Sequence, residues 1–221
     1  MNQYTTYSRH VRHLTLATSL VCLGLTTAWA APEAQFQSAF KQFIQASTGD
    51  TAAIAQAAEA FSGLLKGEPA NPVLLAYAGA ATAMKATTTM LPWKKMSYAE
   101  DGLAQLDKAL AILSPAHDAP VQNGTSGVLE VKHVAANTFL AVPGFMNRNE
   151  RGAKLLGEVL THPLFATAPL DFKGTVWLTA AKEASKAKNT VEAKRYLDLI
   201  VQQQAPQAAQ AQAQLKSLSS S

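Results

Sequence analysis

Apolar residues recur at three- and four-residue spacing in short stretches from Glu33 onward, and each stretch is closed by glycine, proline or a capping residue. This pattern constrains the chain most tightly. A period near 3.6 buries one face of a helix and conflicts with the period of two that a half-buried strand needs. The first stretch, Glu33 to about Ala46, carries Phe36, Phe40, Phe43 and Ile44. Ser47-Thr48-Gly49-Asp50 breaks it, and Asp50 is placed to cap a second helix running to about Lys66. Ile54, Ala57, Ala58, Phe61, Leu64 and Leu65 form the apolar face of that helix, and Gly67 ends it. Asn71-Pro72 then restarts the pattern, with a cap residue before a proline at the first helical position. Val73, Leu74, Tyr77, Ala78, Ala81 and Met84 carry the third helix, and Gly79 in its middle marks a close helix contact.

The threonines from Thr87 to Thr89 end that helix, and Met90 to Met96 is expected to be a loop. Ser97 is expected to cap a fourth helix reaching about Leu113, with Leu103, Leu106, Ala109, Leu110 and Leu113 inward. Residues 115–127 form the longest break. Val128 to Val142 reads as a fifth helix, stopped by Pro143-Gly144, and Asn149 is expected to cap a sixth that carries Ala153, Leu155, Leu156, Val159 and Leu160, with Ala153 at a close helix contact like Ala57 and Ala193. Asp171 opens a seventh with Phe172, Val176, Trp177 and Ala180. Asn189 and Glu192 have capping-box spacing at the start of an eighth, with Val191, Tyr196, Leu197, Ile200 and Val201 as its apolar residues. Residues 207–221 are a Gln/Ala/Ser-rich tail, read either as a last solvated helix to about Leu215 or as a frayed end, with the final serines disordered. Helices paired in order predict an all-α chain built of repeating antiparallel hairpins, about eight helices over 31–206. Composition agrees: of 221 residues only 15% are charged and 7% aromatic, with alanine filling the difference. Collagen-like, disulfide-rich and charge-driven disordered chains are excluded.

Residues 1–30 read as an address. Arg9 and Arg12 precede an apolar run from Leu14 to about Leu25, followed by Ala28-Trp29-Ala30, the basic, apolar, small-x-small order of a secretory signal peptide. The run is short for a membrane span, and cleavage after about Ala30 is expected. Cys22, the single cysteine, follows Ser19-Leu20-Val21, an order that disfavours lipidation. A chain cut after Ala30 holds no cysteine for disulfides, zinc or thiol chemistry. Without Arg9 and Arg12, 17 basic residues face 15 acidic ones, too even a balance to suggest a nucleic-acid or anionic-membrane surface. The expected location is the periplasm.

Two local patterns carry a family resemblance. The stretch AAEAFSGLLKGEPANPVLLAYAGAA resembles the junction between tetratricopeptide repeats, through Ala57, Phe61 and Pro69, then Leu75 and Gly79. VEAKRYLDLIVQQQAP resembles another second helix of that kind, through Ala193, Leu197 and Pro206. The segments LAYAGAATAMKA and LPWKKMSYAEDGLAQLDKAL are similar to exported bacterial helical-repeat proteins often encoded near membrane transport systems. Those proteins continue into an LP-x-F-x-x-R turn, which Val142-Pro143-Gly144-Phe145-Met146-Asn147-Arg148 matches. An arginine in their preceding helix is replaced here at Val131-Lys132-His133. The resemblance implies a right-handed solenoid with a binding role, and it brings no enzymatic activity with it.

Residues that invite chemistry are few. Met84, Met90 and Met96 have the soft ligands of a Cu(I) site, but methionine is a common gap-filler and packing is the favoured reading. His117, His133 and His162 lack ligand-like pairing, so no metal and no cofactor is expected. Nucleophile-elbow, zincin, Walker and dinucleotide motifs are absent. Asn123-Gly124-Thr125 fits a glycosylation acceptor and is read as a polar turn. Trp93 either folds back to plug its hairpin, the favoured reading, or joins Lys94 and Lys95 in an aromatic-basic patch for an acidic partner. Phe145 and Arg148 carry the same choice, with Arg148 expected to pair with Asp101 or Glu100 unless it grips a partner's carboxylate. The expected function is a non-catalytic periplasmic scaffold that holds a peptide or protein partner, possible occupants including an envelope transport component. The alternative is a small-ligand binder whose hairpins close around an apolar pocket.

Overall fold

In a computed structural model, residues 33–219 are described, and they form helices joined by turns with one isolated bridge between Pro120 and Ser126. The proposed leader over 1–30 and the last two serines lie outside these residues. Among the described residues no helix is long and apolar enough to cross a membrane.

The helices are α1 (Glu33–Ser47), α2 (Thr51–Gly67), α3 (Pro72–Met84), α4 (Pro92–Ala111), α5 (Gly127–Ala141), α6 (Asn149–Thr161), α7 (Leu170–Lys186), α8 (Thr190–Gln202) and α9 (Ala208–Ser219). Helices α1 to α8 pack as four antiparallel hairpins in chain order. Successive hairpins stack through α3 on α5, and α9 lies on α8. First helices of neighbouring hairpins run parallel: His133 and Asn137 of α5 meet Phe172 and Thr179 of α7 in the same order.

Several ends form as their residues dictate. The Asp50 carboxylate accepts from the Ala52 and Ala53 amides, and Asn71 Oδ1 accepts from Val73 and Leu74 ahead of Pro72. Asn189 Oδ1 accepts from the Glu192 amide, but the Glu192 side chain turns to Arg195, so the capping box is left half made. At α6 the cap position belongs to Arg148, and Asn149 is the first helical residue, not the cap.

The expected loop over 90–96 is largely helix. Pro92 fixes its own φ and drives Leu91 to extended geometry, which together start α4 five residues ahead of Ser97. Ser97 is therefore inside the helix, where its hydroxyl bonds Asp101. The tail differs too. Ala211 is buried against the core, Leu215 and Leu218 pack on it, and Gln207 donates to Asp171 on α7. An alanine-rich helix with two leucines on one face can cap the last hairpin, and the helix continues through Ser217 to Ser219.

Small residues let the hairpins close. A Cβ on Gly79 would lie 2.8 Å from the Gly102 carbonyl oxygen, and one on Gly102 would lie 2.5 Å from the Gly79 oxygen. The backbones of α3 and α4 thus touch with no side chain between them. Ala57 and Ala193 are fully buried at comparable places. Ala153, which the hairpin pattern puts at such a contact, is exposed; its neighbour Gly152 packs against Phe139 and Leu140 instead. Val191 also stands in solvent, in the first turn of α8.

Candidate functional site

Three features of this array depart from a plain helix-on-helix core. One is a polar network buried inside it, one is a groove on its surface, and one is an exposed hairpin tip.

The network begins in an aromatic cluster. Tyr77 of α3 stacks on Phe61 with ring centroids 4.9 Å apart and meets Phe43 edge-on at 4.9 Å, joining α1, α2 and α3. Its hydroxyl leaves the cluster and donates to the Glu130 carboxylate of α5, at 3.0 and 3.1 Å. Asn123, in the turn before α5, donates to the same carboxylate at 2.7 Å. Glu130 is only 3% exposed. Burial pushes its carboxyl above the ordinary carboxylate range, opposed by these two hydrogen bonds, and burial raises the Tyr77 phenol as well. One turn further along α5, His133 is buried beside the Phe172 ring, and the Asn137 amide nitrogen meets its Nε2 at 3.0 Å. The Thr179 hydroxyl of α7 completes the chain on Asn137 Oδ1 at 2.9 Å. Desolvation lowers His133 from 6.5 to about 4, so the ring is neutral at pH 7. Two hydrogen-bonded sets thus tie the helices together, Tyr77 and Asn123 on Glu130 joining α3 to α5, and His133, Asn137 and Thr179 joining α5 to α7. The sequence signal for it is a single acid, Glu130, between Leu129 and Val131 in a helix with little polar face.

The groove runs between the C-terminal half of α4, the start of α5 and α6, with a volume of about 460 Å³ open to solvent. Leu110, Leu113, Val128 and Leu155 form its floor; Asp118, Lys132, Arg151 and Glu158 stand along its rim. Lys132 pairs with Glu158 at 2.8 Å across the α5–α6 hairpin. These positions escape sequence reading, because they are drawn from three helices and no single helix face announces them.

Arg148 closes one end of this region. Its guanidinium pairs with Asp107 at 3.0 Å, not with Asp101 or Glu100, and Arg151 pairs with the same carboxylate. Both guanidiniums lie over the Phe139 ring, at 5.4 and 5.1 Å from its centroid. Asp107 is therefore no idle surface acid, and the next hairpin is pinned to α4 through it. Replacing Asp107 with Asn leaves two facing guanidiniums unneutralised, and about 1 kcal/mol of stability should be lost at low salt and less at high salt. Denaturant titrations at two ionic strengths check this.

The hairpin tip holds Trp93, Lys94 and Lys95 in the first turn of α4. Trp93 is 66% exposed, so it does not fold back as a plug. Phe145 is 69% exposed in the α5–α6 turn. The five residues selected from sequence are divided: Asp107, where Arg148 is held, is fourteen residues from Trp93, about 21 Å along the helix axis. Met84, Met90 and Met96 likewise do not form a ligand set, since Met84 packs on the core while Met90 stands in solvent. Among the described residues no three histidine, cysteine or acidic side chains converge as for a metal ion. No protein-family model, characterised protein or solved structure matches the chain.

Proposed function

We propose that this protein is an exported, non-catalytic helical-repeat scaffold of the periplasm, of tetratricopeptide-like right-handed build, that holds a peptide or protein segment. One observation carries the reading, the open groove of about 460 Å³ between the second and third hairpins, with an apolar floor and a rim of both charges. Leucines and a valine in the lining accept an apolar anchor, while Asp118 and the Lys132–Glu158 pair put both charges beside them for the flanks of a bound segment. Apolar anchoring with charged orientation is what a segment-binding surface needs. A small apolar ligand gains most from enclosure, and an open groove does not supply it. Export rests on the order of Arg9, Arg12, the apolar run and Ala28-Trp29-Ala30. The tetratricopeptide kinship rests on buried small residues at Ala57, Gly79 and Ala193. A transport component of the envelope is the partner class favoured by the sequence resemblance.

A photocrosslinking residue at Leu113 tests the groove in native envelopes. We expect a discrete adduct of defined mass there, none from the same residue at Lys194 on the exposed face of α8, and a several-fold lower yield when Lys132→Glu reverses the rim. Equal labelling at both positions removes the groove from the proposal. A copurifying small molecule without any adduct at Leu113 replaces it with the ligand-binding reading.

A further inference from the structure

The first turn of α4 breaks three local rules at once. Its cap position is Leu91, whose side chain satisfies none of the free amides that follow. Lys94 and Lys95 occupy the first turn, at the positive end of the helix dipole, where acids are favoured and lysines are not. Four large apolar side chains are exposed within seven residues, Met90 at 88% and Trp93 at 66%, with Leu91 and Met96 partly covered at 38% and 39%. The remaining large apolar side chains that are exposed among the described residues are Ile44, Phe145 and Val191. Each lies within about a turn of a hairpin turn.

Position and charge narrow what such a tip meets. The α5–α6 turn is held at Asp107, about 21 Å down α4 from Trp93, so the tip stands clear of the next hairpin as a projection, not a pocket wall. The overall balance is too even for an anionic membrane surface, but charge is unevenly placed: from Pro69 to Ala99 the chain has three lysines and no acid. Lys85 lies over the Tyr98 ring at 4.4 Å, while Lys94 and Lys95 pair with no described residue. The acids begin only at Glu100 and Asp101, two turns into α4, and Asp101 is bonded to Ser97.

We infer that this tip docks on an anionic lipid surface, with Leu91, Trp93 and Met96 entering the headgroup region and Lys94 and Lys95 meeting lipid phosphates. An anionic, partly apolar interface relieves all three violations together. Phosphate oxygens accept from the free first-turn amides and neutralise the lysines, and the boundary of the acyl chains takes the indole and the leucine. A protein groove would have to combine a tryptophan pocket with carboxylates facing both lysines to do the same, whereas an anionic bilayer presents both along its whole surface. A small apolar wedge and a basic pair are each weak anchors, and together they give reversible binding. The docking is independent of what fills the groove between the second and third hairpins.

The test reads the tip locally in the full chain. With Cys22→Ser in the background, an environment-sensitive dye is attached at Met90→Cys or, as a control, at Ala116→Cys in the turn after α4. On vesicles of 30% phosphatidylglycerol in phosphatidylcholine, the dye at 90 should shift to the blue and brighten, and the dye at 116 should not change. Lys94→Gln with Lys95→Gln should lower the partition coefficient read at position 90 about 30-fold, at roughly one lipid-facing lysine's worth each. Raising the salt to 0.5 M should act in the same direction. Binding of the chain to vesicles with no response at position 90 overturns the inference, as does an unchanged coefficient in the double variant. A response to soluble polyglutamate but not to vesicles also overturns it and assigns the tip to an acidic protein.

Discussion

Gly102→Ala should lower the free energy of unfolding by about 3 kcal/mol, at the upper end of what overpacking costs. The added Cβ would sit 2.5 Å from the Gly79 carbonyl oxygen and 2.6 Å from the Ala83 amide nitrogen. Both are backbone atoms and neither can swing aside, so α3 and α4 must move apart along their shared length. That separation loosens Leu103 and Leu106, which are fully packed on the same face of α4. Gly79→Ala should cost less, since its nearest clash is 2.8 Å and its other neighbours are the side chains of Gln105 and Leu106. The double variant should cost less than the sum, because the helices have to part only once. Gly63→Ala is the matched control: nothing lies within 4 Å of its Cβ, it sits inside α2, and it should stabilise by about 0.5–1 kcal/mol. Urea midpoints of the four variants measure all of this. A cost for Gly102→Ala no larger than the gain from Gly63→Ala would mean the two backbones are not in contact in solution.

Stability should also fall steeply in mild acid, with His133 as the main cause. Its folded pKa is about 4 and its unfolded value 6.5. The unfolded chain therefore takes up a proton that the folded chain refuses. The contribution is fully present above pH 6.5 and is lost as pH falls toward 4, amounting to about 3 kcal/mol. Glu130 acts with the opposite sign. Its folded pKa is raised, so the folded state keeps a proton that the unfolded state releases, and its contribution is present below about 4.5 and lost as pH rises through the folded value. The two partly offset one another in mild acid. His133→Gln keeps a partner for Asn137 and removes the titrating ring, and it should flatten the profile between pH 4 and 6.5. Glu130→Gln should steepen the acid-side loss and raise stability at pH 7, where burying a carboxylate is costly. Denaturant midpoints from pH 4 to 8 distinguish these outcomes, and an unchanged slope in His133→Gln would remove the ring as the cause.

The candidate interaction surfaces were legible to different degrees. Trp93, Lys94 and Lys95 stand out in sequence because an aromatic and two lysines follow a proline in a charge-poor stretch. Their placement in a helix did not, since Pro92 reads equally well as a loop residue and as a first helical residue. Arg148 was visible as a cation in a turn, yet its partner depends on how the third hairpin is laid against the second. Residue spacing along one helix says nothing of that. The groove was invisible for the same reason: its floor joins Leu110 and Leu113 to Val128 and Leu155, and each reads alone as ordinary helix core.

The succession of helices and three of their caps are local matters. They follow from a 3.6-residue period, from Asp50, Asn71 and Asn189 ahead of free amides, and from prolines and glycines that close each segment. The sequence by itself therefore determined an all-helical chain of successive hairpins. Tertiary structure decided everything that depends on two segments meeting. It paired Gly79 with Gly102, set Glu130 under the Tyr77 hydroxyl, held Arg148 and Arg151 on Asp107, and folded the glutamine-rich tail onto α8. The physical reason is one of range. Backbone amides and the helical period act within a turn or two of chain, whereas burial and charge pairing act wherever packing brings side chains together. Which surfaces stay open, the groove and the tip of α4, is settled only after that packing is complete.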